Sequence, residues 1–168
     1  MLLTIAGVIA AVAVMNAVYP AVTRSASALS SASGSVDERI KTNVSIVQGI
    51  GELNSSGTWV DTNANSLFDF FVWVKNVGDI RVPVIEESDL FFGQPGSVAR
   101  VPYTTDTASY PRWTYSLENG TDWSPANTIK LTVSFNTGCP GACTKPAGTY
   151  YVRFVTPNAV SSEHYFSQ

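Results

Sequence analysis

The clearest grouping of potential ligands in this chain is the segment Asp61-Thr-Asn-Ala-Asn-Ser-Leu-Phe-Asp69. It places oxygen-bearing side chains at alternate positions, as the start of a calcium-binding loop does. It lacks the glycine that follows the third ligand of such loops, and it lacks their later bidentate glutamate. A polar turn before a strand is therefore preferred to calcium at Asp61–Asn65, and no metal ligand is assigned.

Catalytic chemistry has little support elsewhere in the sequence. The single histidine, His164, is expected to be a solvent-exposed residue on an edge strand. Glu86-Glu-Ser-Asp89 could pair carboxylates for acid–base work, but no second catalytic element lies nearby, so a solvated loop is expected. No nucleophile motif and no phosphate-binding glycine loop occur. We expect no enzyme, no catalytic residues and no cofactor.

Two cysteines, Cys139 and Cys143, lie close together in the chain. One pair cannot complete a four-ligand zinc site, and three intervening residues do not match the CxxC redox motif. A small disulfide that closes a turn is favoured over two free thiols. Such a disulfide indicates an oxidising compartment outside the cytoplasm.

Charge and sequons indicate the chain's surroundings. The net charge is −3 and no basic cluster occurs, so nucleic-acid binding is not expected. Asn43-Val-Ser, Asn54-Ser-Ser and Asn119-Gly-Thr match the N-glycosylation sequon. Asn54 and Asn119 lie in predicted turns and are better candidates than Asn43, which lies where the helix is expected to meet the head.

The N-terminal segment must be buried in a membrane or against other helices. The first charged side chain is Arg24, and residues 1–23 are mostly apolar and long enough to span a bilayer. Small residues four apart would let another helix approach closely, although an ordinary alanine-rich anchor helix is the alternative. Pro20 is expected to bend the helix near Asn16. The predicted helix-packing residues are Ala6, Gly7, Ala10, Ala11, Ala13, Ala17 and Ala21.

The helical pattern continues beyond the apolar run. Apolar residues recur every three to four positions from Val22 to Ile40, which predicts a helix ending at about Lys41 despite the serine-rich sequence. Its length would be about 60 Å at 1.5 Å per residue. We therefore expect an assembly helix over residues 1–42 and a head domain over residues 43–168.

The head is expected to be an immunoglobulin-like antiparallel β-sandwich or a flattened barrel, which makes the whole chain α+β. After Thr42 the apolar period changes to two, and Leu67–Gly78 predicts a strand that is apolar on both faces. Asn119-Gly is expected to turn into a short strand at Trp123, and the cysteine turn is expected to close a hairpin. The other predicted strands are 89–92, 98–103, 112–117, 128–135, 149–155 and 164–166.

In layout and in two segments, the chain resembles the archaellins, the subunits of the archaeal swimming filament. The segments are Phe70-Phe-Val-Trp-Val-Lys-Asn-Val-Gly78, which ends a strand of the head, and Ile85-Glu-Glu-Ser-Asp-Leu-Phe-Phe-Gly93. The resemblance implies a basic leader removed by a prepilin-type peptidase, although no leader or cleavage site stands in the sequence. It also implies helices bundled in a filament core and heads that form the outer shell.

The expected function is that of a structural subunit of an extracellular archaellum filament. Its expected partners are other copies of itself in a helical homopolymer, the membrane motor platform, and the membrane before assembly. Two alternatives share the layout. One is a membrane-anchored minor archaellum protein, a stator that binds the surface layer, and the other is an adhesive pilus subunit. The sequence does not separate swimming from adhesion or identify the host.

Overall fold

A computed structural model describes residues 2–54, 56, 59–135 and 148–167. The side chains of residues 2–4, 6 and 10 lie outside this description. The predicted turn at Cys139 and Cys143 lies outside the described residues too. The chain forms two compact units, Met1–Glu38 and Arg39–Gln168.

The first unit is the greater part of a single helix, α1 (Leu2–Lys41). Its serine-rich half stays helical because hydroxyl groups bond to carbonyl oxygens one turn earlier. Ser31 Oγ donates to the Ser27 carbonyl at 3.0 Å, and Ser35 Oγ donates to the Ser31 carbonyl at 2.8 Å. The serine hydroxyls thus make their hydrogen bonds on the helix surface and do not compete with the backbone hydrogen bonds of the helix.

The head is a sandwich of two four-stranded antiparallel sheets, which confirms the predicted fold class. The first sheet has the order β1-β2-β6-β5, and the second has the order β4-β3-β7-β8. The strands are β1 (Val44–Gly51), β2 (Phe68–Asn76), β3 (Asp89–Gly93), β4 (Ala99–Val101), β5 (Arg112–Leu117), β6 (Thr128–Phe135), β7 (Thr149–Val155) and β8 (Ser161–Ser167). A 3-10 helix, Ile85–Glu87, precedes β3.

The core lies between the two sheets and is rich in aromatic rings. Phe70 is its centre, with ring centroids 4.8 Å from Phe92 and 4.7 Å from Tyr150. At the other end, Trp113 and Trp123 both pack edge-on against Phe154. Along β2, residues 68, 70, 72 and 74 face this core, as their period of two predicts.

Two local predictions are wrong. Trp123 is buried, but it lies in a loop and forms no strand. β6 and β7 do not form the expected hairpin, because β6 pairs with β2 and β5 in one sheet while β7 pairs with β3 and β8 in the other. The chain crosses between sheets after β6, and alternation within each strand carries no information about which strand it pairs with.

Candidate anchoring and interaction surfaces

The helix α1 has the properties of a membrane anchor. Over Gly7–Lys41 it is long and apolar enough, by length and composition, to cross a bilayer. Its large apolar side chains are solvent-exposed on all sides of the apolar half, for example Val8, Val12 and Met15. A helix that is apolar all round requires lipid or protein about it.

The predicted helix-packing residues are accessible where their side chains are described. Ala11, Ala13, Ala17 and Ala21 are exposed, and an added Cβ at Gly7 would meet nothing within 4 Å. The side chains of Ala6 and Ala10 lie outside the described set. The structure thus presents a small-residue face to solvent, and the role of that face stays a prediction.

The chain enters the head through a tightly bonded junction. The Lys41 carbonyl accepts the Asp79 N–H at 2.8 Å, and the Asn43 carbonyl accepts the Val77 N–H at 2.9 Å. Gly78 lies between these bonds, where an added Cβ would come within 2.4 Å of the Asn43 nitrogen. Any side chain at this position would push the incoming chain away, so the turn after β2 requires glycine.

Asn76 ties the end of β2 to its neighbours. Its side chain is fully buried, and its Nδ2 donates to the carbonyls of Ile80 (2.9 Å) and Trp123 (3.0 Å). Its Oδ1 accepts the Gly78 N–H at 3.0 Å. The segment that carried the archaellin resemblance therefore has a structural role here, which is to hold the turn that bonds to residues 41 and 43 within the head unit.

The outer face of the first sheet carries a pair of aromatic side chains in β2. Phe71 and Trp73 lie on this face, half-buried, with ring centroids 6.2 Å apart. Lys130 Nζ lies 5.5 Å from the centre of the Phe71 ring. On the second sheet the corresponding pair is more polar, because Tyr151 donates a hydrogen bond to Glu163 at 2.8 Å and packs on Tyr165.

The Glu86–Asp89 segment is partly structural. Glu86 is exposed and accepts a 2.5 Å hydrogen bond from the Tyr115 hydroxyl, which raises the pKa of Tyr115 to about 12. Asp89 pairs with Arg100 at 2.6 Å. These carboxylates bond to separate residues of the neighbouring strands, and the geometry brings no general acid–base pair together.

The other predicted residues lie at the surface. Asn43, Asn54 and Asn119 are exposed, as glycosylation would require. The amide of Asn119 bonds within its own turn, because its Oδ1 accepts the Thr128 N–H at 2.7 Å. His164 lies on the edge strand β8 as expected, but it is half-buried and not fully solvent-exposed, because its ring stacks on Phe166. Glycosylation of the three asparagines stays a prediction.

Comparisons with known proteins find a similar sequence and a similar fold. No protein-family model matches the sequence. A protein of Archaeoglobus fulgidus described as uncharacterized is 29% identical over 171 residues, covering 99% of this chain and 94% of that protein. The archaellum periplasmic stator protein FlaG from Sulfolobus acidocaldarius is 22% identical with a TM-score of 0.51. The match covers 74% of this chain and 99% of FlaG. This chain shares the fold of FlaG.

A second solved structure, the archaellum periplasmic stator complex of FlaF and FlaG from the same organism, is 21% identical with a TM-score of 0.49. It covers 73% of this chain and 87% of that chain. At 22% identity, the FlaG structure shows the fold alone.

Proposed function

We propose that this chain is a membrane-anchored archaellum component of the stator kind. In this proposal α1 anchors the chain in the cytoplasmic membrane, and the β-sandwich head lies outside it. The observation that carries the proposal is the shared fold with FlaG, which extends over 99% of the FlaG chain. A head with a single apolar helix has what a stationary support needs, which is a fixed base and a binding surface.

The head's partner is proposed to be another archaellum protein or the surface layer. We expect it to bind the outer face of the first sheet, around Phe71 and Trp73. Interfaces are enriched in aromatic residues, and Phe71 and Trp73 form an aromatic pair on this face, whereas Tyr151 on the second sheet is hydrogen-bonded to Glu163. The net charge of −3 gives no support for nucleic acid as a partner. No catalytic role is proposed.

The archaellin-like filament subunit is the second candidate. The observation that favours it is the exposed small-residue face of α1 at Ala13, Ala17 and Ala21, because such faces let helices pack closely. In that case the helix would be surrounded by other copies of itself. The two candidates differ in stoichiometry and in what surrounds the helix.

Site-specific photo-crosslinking in the native host tests the proposal. A photoreactive amino acid replaces Trp73, and in a control variant it replaces Tyr165, which is exposed on the other sheet. The stator proposal predicts a discrete adduct with a second archaellum or surface-layer protein from position 73, and a weaker adduct or none from position 165. A ladder of self-adducts from position 73 would favour the filament candidate. Adducts only with proteins that belong neither to the archaellum nor to the surface layer would overturn both the stator and the filament candidates.

A further inference from the structure

Two carboxylates lie side by side, fully buried, on the outer face of the first sheet. Glu52 follows β1 immediately, and its N–H donates to the carbonyl of Asp69 in β2 at 3.0 Å. The pairing of Gly51 with Phe70 makes Glu52 and Asp69 the next cross-strand pair, on the opposite face from Phe70. Both residues are 0% exposed. Like charges directly opposite each other destabilise a sheet, so this pair needs compensation.

The loop before β2 covers this pair with polar groups. Asp69 Oδ2 accepts hydrogen bonds from the side-chain amides of Asn63 (2.8 Å) and Asn65 (2.9 Å). Glu52 Oε1 accepts the Thr62 N–H at 2.6 Å and also the Thr62 hydroxyl. One oxygen of each carboxylate is therefore hydrogen-bonded to the loop.

The remaining oxygen of each carboxylate has no partner. Glu52 Oε2 and Asp69 Oδ1 are buried and accept no hydrogen bond. A buried carboxylate oxygen without a partner costs several kcal/mol in principle, and native proteins seldom leave two together. The ion pairs that the structure describes in the head join Arg81 to Asp122, Arg100 to Asp89 and Lys130 to Glu118, so none of them compensates this pair.

We propose that Glu52 and Asp69 bind a calcium ion together with oxygens of the loop from Asp61 to Leu67. Carboxylate and carbonyl oxygens are the hard ligands that Ca²⁺ prefers, while Mg²⁺ demands a stricter octahedron. No three His, Cys, Asp or Glu side chains are grouped as metal ligands among the described residues, so other oxygens of the loop must complete the shell. Asn63 and Asn65 can take part only if their amides rotate, because they present Nδ2 to Asp69 and their Oδ1 atoms accept backbone N–H groups. The site is independent of the stator proposal.

The loop backbone is consistent with this inference. The carboxylate of Asp61 accepts the N–H groups of Asn65 (3.1 Å) and Ser66 (2.7 Å), which holds the first turn closed. Ser66 has a φ of 59°, so it adopts the left-handed conformation at the position where calcium loops usually carry glycine. The missing glycine that weakened the sequence argument is thus replaced by a serine with the same backbone conformation. Glu52, which follows β1 directly, supplies an acidic side chain that the linear pattern lacks.

Calcium titration of the full-length chain in detergent tests the proposal. After EDTA treatment and its removal, isothermal titration with CaCl₂ is expected to give one site per chain with a Kd of about 0.1–1 mM, as in extracellular modules. A calcium concentration about a hundredfold above Kd is expected to raise the Tm by about 5–10 °C. MgCl₂ at the same concentration is expected to raise it less. No binding heat and no shift in Tm would overturn the proposal.

Variants locate the site. Asp69→Asn removes one buried charge, and Asp61→Asn removes a charge from the covering loop. Each is expected to weaken calcium binding at least tenfold. Asp106→Asn, in an exposed turn of the same head, is the matched control and is expected to bind as the wild type does.

The variants also separate this site from binding elsewhere. If Asp61→Asn and Asp69→Asn both bind calcium as tightly as Asp106→Asn, the ion lies elsewhere and the assignment is wrong. If Asp69→Asn does not fold, the uncompensated pair is contradicted, and Asp61→Asn alone tests whether calcium binds at this loop. In EDTA, Asp69→Asn is expected to be at least as stable as the wild type, because the repulsion between Asp69 and Glu52 is removed. A Tm of Asp69→Asn below that of the wild type in EDTA would contradict the claim that these two carboxylates repel each other without compensation.

Discussion

Replacing Asn76 with alanine is expected to destabilise the head by about 3–4 kcal/mol. The side chain makes three hydrogen bonds, to the Ile80 and Trp123 carbonyls and from the Gly78 N–H. Each contributes about 1 kcal/mol net, and the partners left behind lose more where they are buried. If Asn76 is removed, the Trp123 carbonyl keeps its bond from the Val82 N–H at 3.2 Å. Within the part of the chain that the structure describes, the Ile80 carbonyl and the Gly78 N–H have no second partner.

For a head of this size, that loss corresponds to a fall in Tm of about 10–15 °C. All four tryptophans lie in the head, so tryptophan fluorescence of the full-length chain in detergent reports on its unfolding. Lys75→Ala, on the opposite face of the same strand, is the matched control and is expected to change stability by less than about 0.5 kcal/mol. If Asn76→Ala unfolds at the same temperature as Lys75→Ala, the structural role given to Asn76 is wrong.

Three further outcomes follow from the same structure. Gly78→Ala is expected to destabilise the head by about 2 kcal/mol or more, because its Cβ would meet backbone atoms at 2.4–2.5 Å; an unchanged Tm in the same fluorescence assay would contradict this. The raised pKa of Tyr115 means that its protonated form stabilises the head below pH 10, and that this stabilisation is lost as pH rises from 10 through about 12. Between pH 10 and about 12, the stability of Tyr115→Phe should therefore fall by about 1 kcal/mol less than that of the wild type, after allowance for solvent screening. Urea unfolding at several pH values measures this, and an equal fall in the free energy of unfolding for the two proteins would refute the role given to Tyr115. Ala17→Leu is expected to leave membrane insertion and head binding intact, but it would block a filament that packs through α1. If the variant chain is present in membranes in wild-type amounts and the swimming filaments are lost, the filament candidate is supported.

Much of the fold was predictable because burial repeats with the period of each element. The alternation along β2 identified its core face, and the three-to-four spacing up to Ile40 identified a helix through a serine-rich segment. Strand pairing was not predictable in the same way. The hairpin expected between β6 and β7 does not exist, since β6 lies in one sheet and β7 in the other.

The strand predicted at Trp123 failed for a different reason. A large apolar side chain between turn residues is compatible with a strand, but here the loop itself carries the ring into the core against Phe154. β8 is also longer than the predicted 164–166, because Ser162 continues the pairing with Phe154 through its backbone. Its polar residues alternate in the strand without giving an apolar signal.

The candidate sites were only partly accessible from sequence. The Asp61 loop was recognised by its spacing, but Glu52 was missed because a lone glutamate after a glycine carries no motif. One signal was present in the sequence. Glu52 is two residues after Ile50, so its side chain lies on the same outer face of the sheet, and aligning β1 with β2 residue by residue would have placed it beside Asp69. The burial of both carboxylates depends on the covering loop, which the sequence pattern does not place.

The central claim is that this chain is an anchored support and not the material of the filament. The most direct test is to shear the swimming filaments from host cells and measure by quantitative mass spectrometry where the chain is found. The account predicts that the chain stays with the cell membranes, in small stoichiometric amounts relative to the filament protein. Recovery of this chain as a principal component of the purified filaments would contradict it.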